Sequence, residues 1–139
     1  MKILIVEDDH TSRLLMQALT KPFGPVHLAV NGREAVESVR RALELAEPYD
    51  FICLDIMMPE MDGQEALRVI RSLERDHEIA SERRAKIIMT TALDDMKTVM
   101  KAYGGVCDGY LTKPVDKASL MDEMQTVGLL TGVWAGTSV

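Results

Sequence analysis

Several short apolar runs in this chain end in residues of a chemically specific kind. Ile3-Leu4-Ile5-Val6 leads into Glu7-Asp8-Asp9, Phe51-Ile52-Cys53-Leu54 into Asp55, Ile87-Ile88-Met89 into Thr90-Thr91, and a weaker run from Cys107 to Leu111 into Thr112-Lys113-Pro114. If the first of these runs and the one ending at Asp55 are neighbouring strands, the carboxylates of Glu7, Asp8 and Asp55 meet in one small volume. Like charges that close raise one another's pKa, or hold a cation that cancels the repulsion. Oxygen ligands without His or Cys favour a hard cation such as Mg²⁺, which shares its remaining positions with water or a phosphoryl group. Lys113 and Thr91 on the opposite side would bind the same phosphoryl oxygens, leaving Asp55 as a nucleophile able to become an acyl phosphate. The donor must carry an activated phosphoryl group. A Gly-rich Walker loop and a G-x-G-x-x-G turn are both missing, so neither ATP nor a dinucleotide has its usual cradle.

These residues need strands that end together, and the patterning supplies them. Apolar runs alternate with stretches of helical period, the signature of a βα repeat around a parallel sheet. Besides the runs above, Val26-His27-Leu28-Ala29-Val30 reads as a strand, and His27 makes it an edge. The intervening stripes are Leu14, Leu15, Ala18 and Leu19; Ala35, Val36, Val39 and Leu43; Leu67, Ile70 and Leu73; Met96, Val99, Met100 and Tyr103; and Leu120, Met121, Met124 and Val127. Asp62 is a plausible N-cap once Pro59 has ended the preceding turn. The pattern predicts a single α/β domain of (βα)5 type, with the ligand site beyond the carboxyl ends of the strands.

Composition narrows the function classes. In 139 residues, 47% are hydrophobic and 27% charged, enough for one independent core. The formal charge of −6 disfavours direct contact with nucleic acid. No apolar stretch is long enough to span a membrane or form a signal-peptide core, which leads to the expectation of a cytoplasmic protein. Cys53 and Cys107 lack metal-ligand spacing and are expected to be buried, reduced thiols. The three histidines are scattered, most of the ten methionines are expected to fill the core, and Arg83-Arg84 with Lys86 reads as a solvated face.

From Lys2 to about Val127 the chain resembles a response-regulator receiver domain of the two-component signalling family, of the chemotaxis-regulator type. The matching stretches are Ile5-Val6-Glu7-Asp8-Asp9, Leu54-Asp55-Ile56-Met57-Met58-Pro59-Glu60-Met61-Asp62-Gly63, Thr91-Ala92, and Asp108-Gly109-Tyr110-Leu111-Thr112-Lys113-Pro114. The resemblance implies a flavodoxin-like, doubly wound parallel sheet of order 2-1-3-4-5. It implies that Asp55 accepts a phosphoryl group from a sensor histidine kinase or phosphotransfer protein and that the domain catalyses its own aspartyl phosphorylation and dephosphorylation. Mg²⁺ would be held by Asp8, Asp55, the backbone carbonyl of Met57 and, mostly through water, Glu7. Lys113, Thr91 and the Ala92 N–H would bind the phosphoryl oxygens. Thr91 and Tyr110 would act as switch residues, and the bond before Pro114 would be cis. A downstream protein would meet the face made by the fourth helix, fifth strand and fifth helix, with the domain monomeric or dimerising on phosphorylation.

The chain departs from the family pattern in places. Gly104-Gly105 precede the position where the family more often has its glycine, and the charged stretch from Arg75 to Lys86 predicts an extended third helix or an extra ordered loop. Met57 and Leu93 are apolar where a polar side chain would hold an attacking water, which predicts slow spontaneous loss of phosphate. The domain is expected over 1–127. Residues 128–139, which include Leu129, Leu130 and Trp134, form a short apolar tail with no output domain; the chain is either a stand-alone switch or a receiver excised from a longer regulator. The rival reading is a haloacid-dehalogenase-like phosphatase using Asp55 in turnover. Such enzymes usually place a second Asp where Met57 stands.

Overall fold

The computed structural model describes residues 1–58, 61–92, 95–103 and 106–130. Leu93, the Gly104-Gly105 pair and most of the apolar tail, including Trp134, lie outside the described residues, as do the side chains of Ala102 and Tyr103.

Five strands, β1 (Ile3–Val6), β2 (Val26–Ala29), β3 (Phe51–Asp55), β4 (Lys86–Thr91) and β5 (Gly109–Thr112), alternate with helices. These are α1 (His10–Thr20), α2 (Gly32–Glu44), α3 (Gly63–Asp76), α4 (Met96–Tyr103) and α5 (Lys117–Thr126). All neighbouring strands pair in parallel in the order β2-β1-β3-β4-β5. Because β1 and β3 are adjacent, with Val6 opposite Leu54, Glu7 and Asp55 leave the sheet side by side.

The sheet divides the interior into two cores. Ile3, Ile5, Phe51, Cys53, Ile88 and Leu111 face α1 and α5, where they meet Met16, Leu120, Met121 and Met124. Leu4, Val6, Ile52, Leu54, Ile87 and Met89 face the other way, toward Ala35, Val36 and Val39 of α2, Leu67 and Ile70 of α3, and Val99 of α4. Burying aliphatic side chains of this size stabilises the fold by about 1.5–3 kcal/mol each. Central strands covered on both faces account for the unbroken apolar runs.

Helix starts follow their side chains. Asp9, Asn31, Asp62 and Asp116 each accept the backbone N–H three residues on, capping α1, α2, α3 and α5. Among the described residues no helix is long and apolar enough to cross a membrane.

Two helical faces differ from the sequence expectation. Leu14 and Leu15 are 47% and 42% exposed, and Ala18 is exposed as well. The face that α1 buries contains Met16 and Thr20, with Leu19 packed beside it. Thr20 tolerates burial because its hydroxyl donates to the Met16 carbonyl at 2.7 Å, so the polar group is satisfied within the helix. In α4 only Val99 of the expected stripe is buried among described side chains, and Met100 is 51% exposed. The methionines accordingly divide: Met16, Met58, Met89, Met121 and Met124 are buried, whereas Met57 and Met100 face solvent.

The charged stretch after α3 is an ordered loop. The helix ends at Asp76, Glu78 adopts a left-handed φ of 56°, and Ser81–Arg83 form one 3-10 turn before β4. A residue with positive φ cannot continue a right-handed helix.

Candidate functional site

The carboxyl ends of β1, β3 and β5 bring Glu7, Asp8, Asp55 and Lys113 together. One carboxylate oxygen from each acid lies within 4.8 Å of the others. Glu7 and Asp55 are buried, at 3% and 2% exposure, while Asp8 is open to solvent. Lys113 Nζ bridges the two buried acids, 2.9 Å from Asp55 Oδ1 and 3.0 Å from Glu7 Oε2. That leaves Asp55 Oδ2 buried without a hydrogen-bond partner among the described residues, as are Thr91 Oγ1 and the Tyr110 hydroxyl. Unsatisfied buried polar atoms are costly, so Asp55 Oδ2 and Thr91 Oγ1, at the carboxyl ends of adjacent strands, mark a place built for an additional group.

Electrostatics follow from this packing. Burial pushes the Asp55 carboxyl up to about 7; the hydrogen bond from Lys113 opposes the rise and the Glu7 carboxylate adds to it. For Lys113, burial acts to lower the pKa, but the Asp55 and Glu7 carboxylates outweigh it and hold the ammonium above its ordinary value. Lys113 is therefore a permanent cation here, and Asp55 is poised between its two states at neutral pH. Cys53, on β3 beneath the site, is pushed up to about 12 by burial and by the nearby Glu7 and Asp55 charges. Its thiol is inert, and both cysteines are buried and outside any disulfide.

The remaining residues singled out from sequence line the same end of the sheet. Thr91 closes β4 and is 2% exposed, Ala92 follows it on the surface, and the Lys113–Pro114 peptide bond is cis. Met57 projects into solvent at 73% exposure. Tyr110 is partly buried and packs against the core shared by α2, α3 and α4.

The loop after Asp55 is held close by glycine. A Cβ on Gly63 would sit 2.3 Å from the Asp55 carbonyl oxygen, so only glycine lets the start of α3 approach β3 this closely. The Ile56 N–H donates to the Thr90 carbonyl at 3.2 Å, and the Gly63 N–H donates to the Ile56 carbonyl at 3.0 Å.

Sequence reasoning missed two groups. Arg13, on α1, reaches back to the acidic loop, its Nη1 lying 2.9 Å from the Glu7 carbonyl oxygen and 3.3 Å from that of Asp8. No periodicity distinguishes it from a surface arginine. At the opposite end of the sheet, Arg71 of α3 is 9% exposed and pairs with buried Glu74 and with Asp108, both at 2.8 Å. For this pair a signal existed, since positions 71 and 74 fall on the stripe of Leu67 and Ile70.

Comparison with known proteins bears on this arrangement. A family model described as response regulator receiver domain matches residues 3–125. Chemotaxis protein CheY of Halobacterium salinarum is 35% identical over 127 residues, covering 91% of this chain and 95% of that protein. Hybrid signal transduction histidine kinase B of Dictyostelium discoideum is also 35% identical, over 129 residues that cover 88% of this chain. The chain spans only 6% of that kinase's length and 4% of hybrid kinase G from the same organism. Among solved structures, the receiver domain of a Pseudomonas aeruginosa sensor histidine kinase, described with a magnesium ion coordinated in its active site cleft, superposes with a TM-score of 0.71. It shares 30% identity and covers 91% of this chain and 97% of its own. Vibrio cholerae chemotaxis protein CheY4 superposes with a TM-score of 0.70 at 28% identity, over 91% of this chain and 97% of its own. Since the family model takes in every strand and nearly all of α5, together with each residue that forms the acidic pocket, this chain belongs to the response regulator receiver domain family.

Proposed function

We propose that this domain is a phosphorylation-dependent switch in two-component signalling, in which Asp55 accepts a phosphoryl group from the phosphohistidine of a sensor histidine kinase or phosphotransfer protein. The observation that carries the reading is the asymmetry of the Asp55 carboxylate. Lys113 occupies Oδ1, whereas Oδ2 is buried and unpartnered among the described residues. In the transfer, Oδ2 forms a bond to phosphorus as the bond from phosphorus to the donor imidazole nitrogen breaks; that nitrogen keeps the electron pair and takes up a proton.

The clustered carboxylates suit a hard divalent cation. Glu7, Asp8, Asp55 and the backbone carbonyl of Met57 would hold Mg²⁺, with Glu7 acting mostly through water. Bound there, Mg²⁺ would offset the charge gathered on the phosphoryl oxygens. Lys113, already an ammonium, stays beside Asp55 and binds a phosphoryl oxygen, and the Ala92 N–H and the Thr91 hydroxyl bind others. Tyr110 then moves inward behind Thr91. A new dianion biases a two-state equilibrium, and the partner surface of α4, β5 and α5, on which Met100 is exposed, changes with it.

On this reading the switch domain occupies 1–127 and works in the cytoplasm as a monomer or as a dimer formed on phosphorylation. The output is delivered by a separate downstream protein or by another part of a longer regulator. The domain promotes its own phosphorylation and dephosphorylation without turning over a free substrate.

Intact mass after incubation with acetyl phosphate tests the reading. One phosphoryl group is expected on the wild type with Mg²⁺, and none with a chelator or in Asp55→Asn. Steady release of phosphate without an adduct would favour a phosphatase instead. A second expected result concerns lifetime. The exposed Met57 offers an attacking water no hydrogen bond, so Met57→Asn should shorten the half-life of the phosphorylated protein several-fold. An unchanged decay rate would remove Met57 from the account.

A further inference from the structure

Arg13 sits where a cation is ordinarily disfavoured. It lies in the first turns of α1, whose N-terminal end carries the positive pole of the helix dipole. Its backbone N–H donates to the Asp9 carbonyl at 2.9 Å, as helix geometry requires. The side chain, however, folds back over the helix start. Nη1 donates to the carbonyl oxygens of Glu7 and Asp8, and Nη2 lies 3.1 Å from His10 Nδ1.

What the guanidinium holds is the segment that carries two of the three clustered acids. The Glu7 N–H is fixed to the Ala29 carbonyl at 3.0 Å, the last rung toward β2. Beyond it the chain leaves the sheet and must turn into α1. The Asp9 side chain is already engaged with the Ser12 N–H at 2.8 Å, and the Asp9 N–H donates to Glu7 Oε1 at 3.2 Å. One arm of the planar Arg13 guanidinium serves the carbonyls of both Glu7 and Asp8. Without it, mutual repulsion among Glu7, Asp8 and Asp55 would splay this short loop.

We propose that Arg13 is a positioning residue for the divalent cation: it fixes the Glu7–Asp8 backbone so that the carboxylates stay converged before the cation arrives. The inference rests on the metal reading given under Proposed function. It makes an unusual demand on sign. A guanidinium acting only through its charge would repel Mg²⁺, so removing it would tighten binding; a guanidinium that preorganises the loop does the opposite.

Titration calorimetry with MgCl₂ separates the two, run on wild type, Arg13→Ala and Arg13→Lys, alongside amide hydrogen exchange of the metal-free proteins. Arg13→Ala should weaken Mg²⁺ binding by roughly tenfold, the scale typical of losing a group that orients metal ligands. Amide exchange at Asp8 and Asp9 should accelerate in the same variant. Arg13→Lys, which keeps a donor but loses the fork, should recover part of the affinity. Equal or tighter Mg²⁺ binding by Arg13→Ala, with the wild type binding normally, would overturn the positioning role alone. A wild type that takes up no Mg²⁺ would overturn the metal reading and this inference with it.

Discussion

Metal-free wild-type protein should lose stability as the pH rises from about 4 to about 8, and Asp55→Asn should abolish most of that loss. Burial raises the Asp55 carboxyl in the folded state from 3.8 to about 7. Between those values the native protein holds a proton that the unfolded chain has released, so unfolding releases protons and stability falls with rising pH. The contribution is fully present below the unfolded pKa and is gone above the folded one. A shift of this size corresponds to something on the order of 2–4 kcal/mol, a large share of the 5–15 kcal/mol that ordinarily holds a domain together. Lys113 does not blur the profile, because its raised pKa loses its proton only at strongly alkaline pH.

Asn is nearly isosteric and keeps an oxygen that accepts from Lys113. Asp55→Asn should therefore be the more stable protein at pH 8 in a chelator and nearly equal to wild type at pH 4. Urea melts across this range with EDTA measure the difference directly. Added Mg²⁺ should then restore the wild type preferentially at the higher pH, since only the ionised site binds it. A flat difference between the two proteins across the range would mean that Asp55 is ionised throughout in the folded state.

Arg71→Ala should be the most damaging substitution remote from the acidic pocket, costing about 3–5 kcal/mol. The guanidinium donates to Glu74 Oε1, the Ala85 carbonyl, Asp108 Oδ2 and the Val106 carbonyl, at 2.8 to 3.0 Å. Glu74 is 3% exposed, so its removal strands a carboxylate in the interior. Arg71→Lys should rescue little, because a single ammonium cannot replace a fork engaged on both arms and at Nε. Replacing Arg71 and Glu74 together with Met should cost less than the sum of the single changes, as the orphaned charge disappears with its partner. Denaturant midpoints for the four proteins test this, and additive losses would show that the two residues do not act as a pair.

The acidic pocket was legible in sequence for a simple reason. Strands buried on both faces announce themselves as short unbroken apolar runs, and a polar residue that ends such a run must lie at the edge of the sheet. Glu7, Asp55, Thr91 and Lys113 are all found that way, and adjacency of β1 and β3 converts a list into a cluster. Helix faces were harder. In α1 the four apolar residues Leu14, Leu15, Ala18 and Leu19 make a plausible stripe, yet the buried one runs through Met16 and Thr20. A threonine whose hydroxyl bonds its own helix carries no hydrophobic signal. Arg71 and Glu74 were hidden by the opposite assumption, that charged residues on a helix belong to its wet side. The end of α3 was ambiguous because its stop lies in the backbone, at Glu78, and not in a glycine or proline.

The Arg71 network also has a mechanical meaning. It bolts α3 to the segments just before β4 and β5, and Asp108 reinforces the joint by accepting the Ile87 N–H at 2.8 Å. The far ends of the same two strands carry Thr91 and Lys113, and there the Thr91 hydroxyl has no partner among the described residues. The β4–β5 pair is thus a lever with its fulcrum at the amino ends of the strands. A load applied at Asp55 meets the opposite ends of these strands, where Lys113 already ties the end of β5 to Asp55 and Glu7, so the base stays clamped while the load arrives through that ammonium.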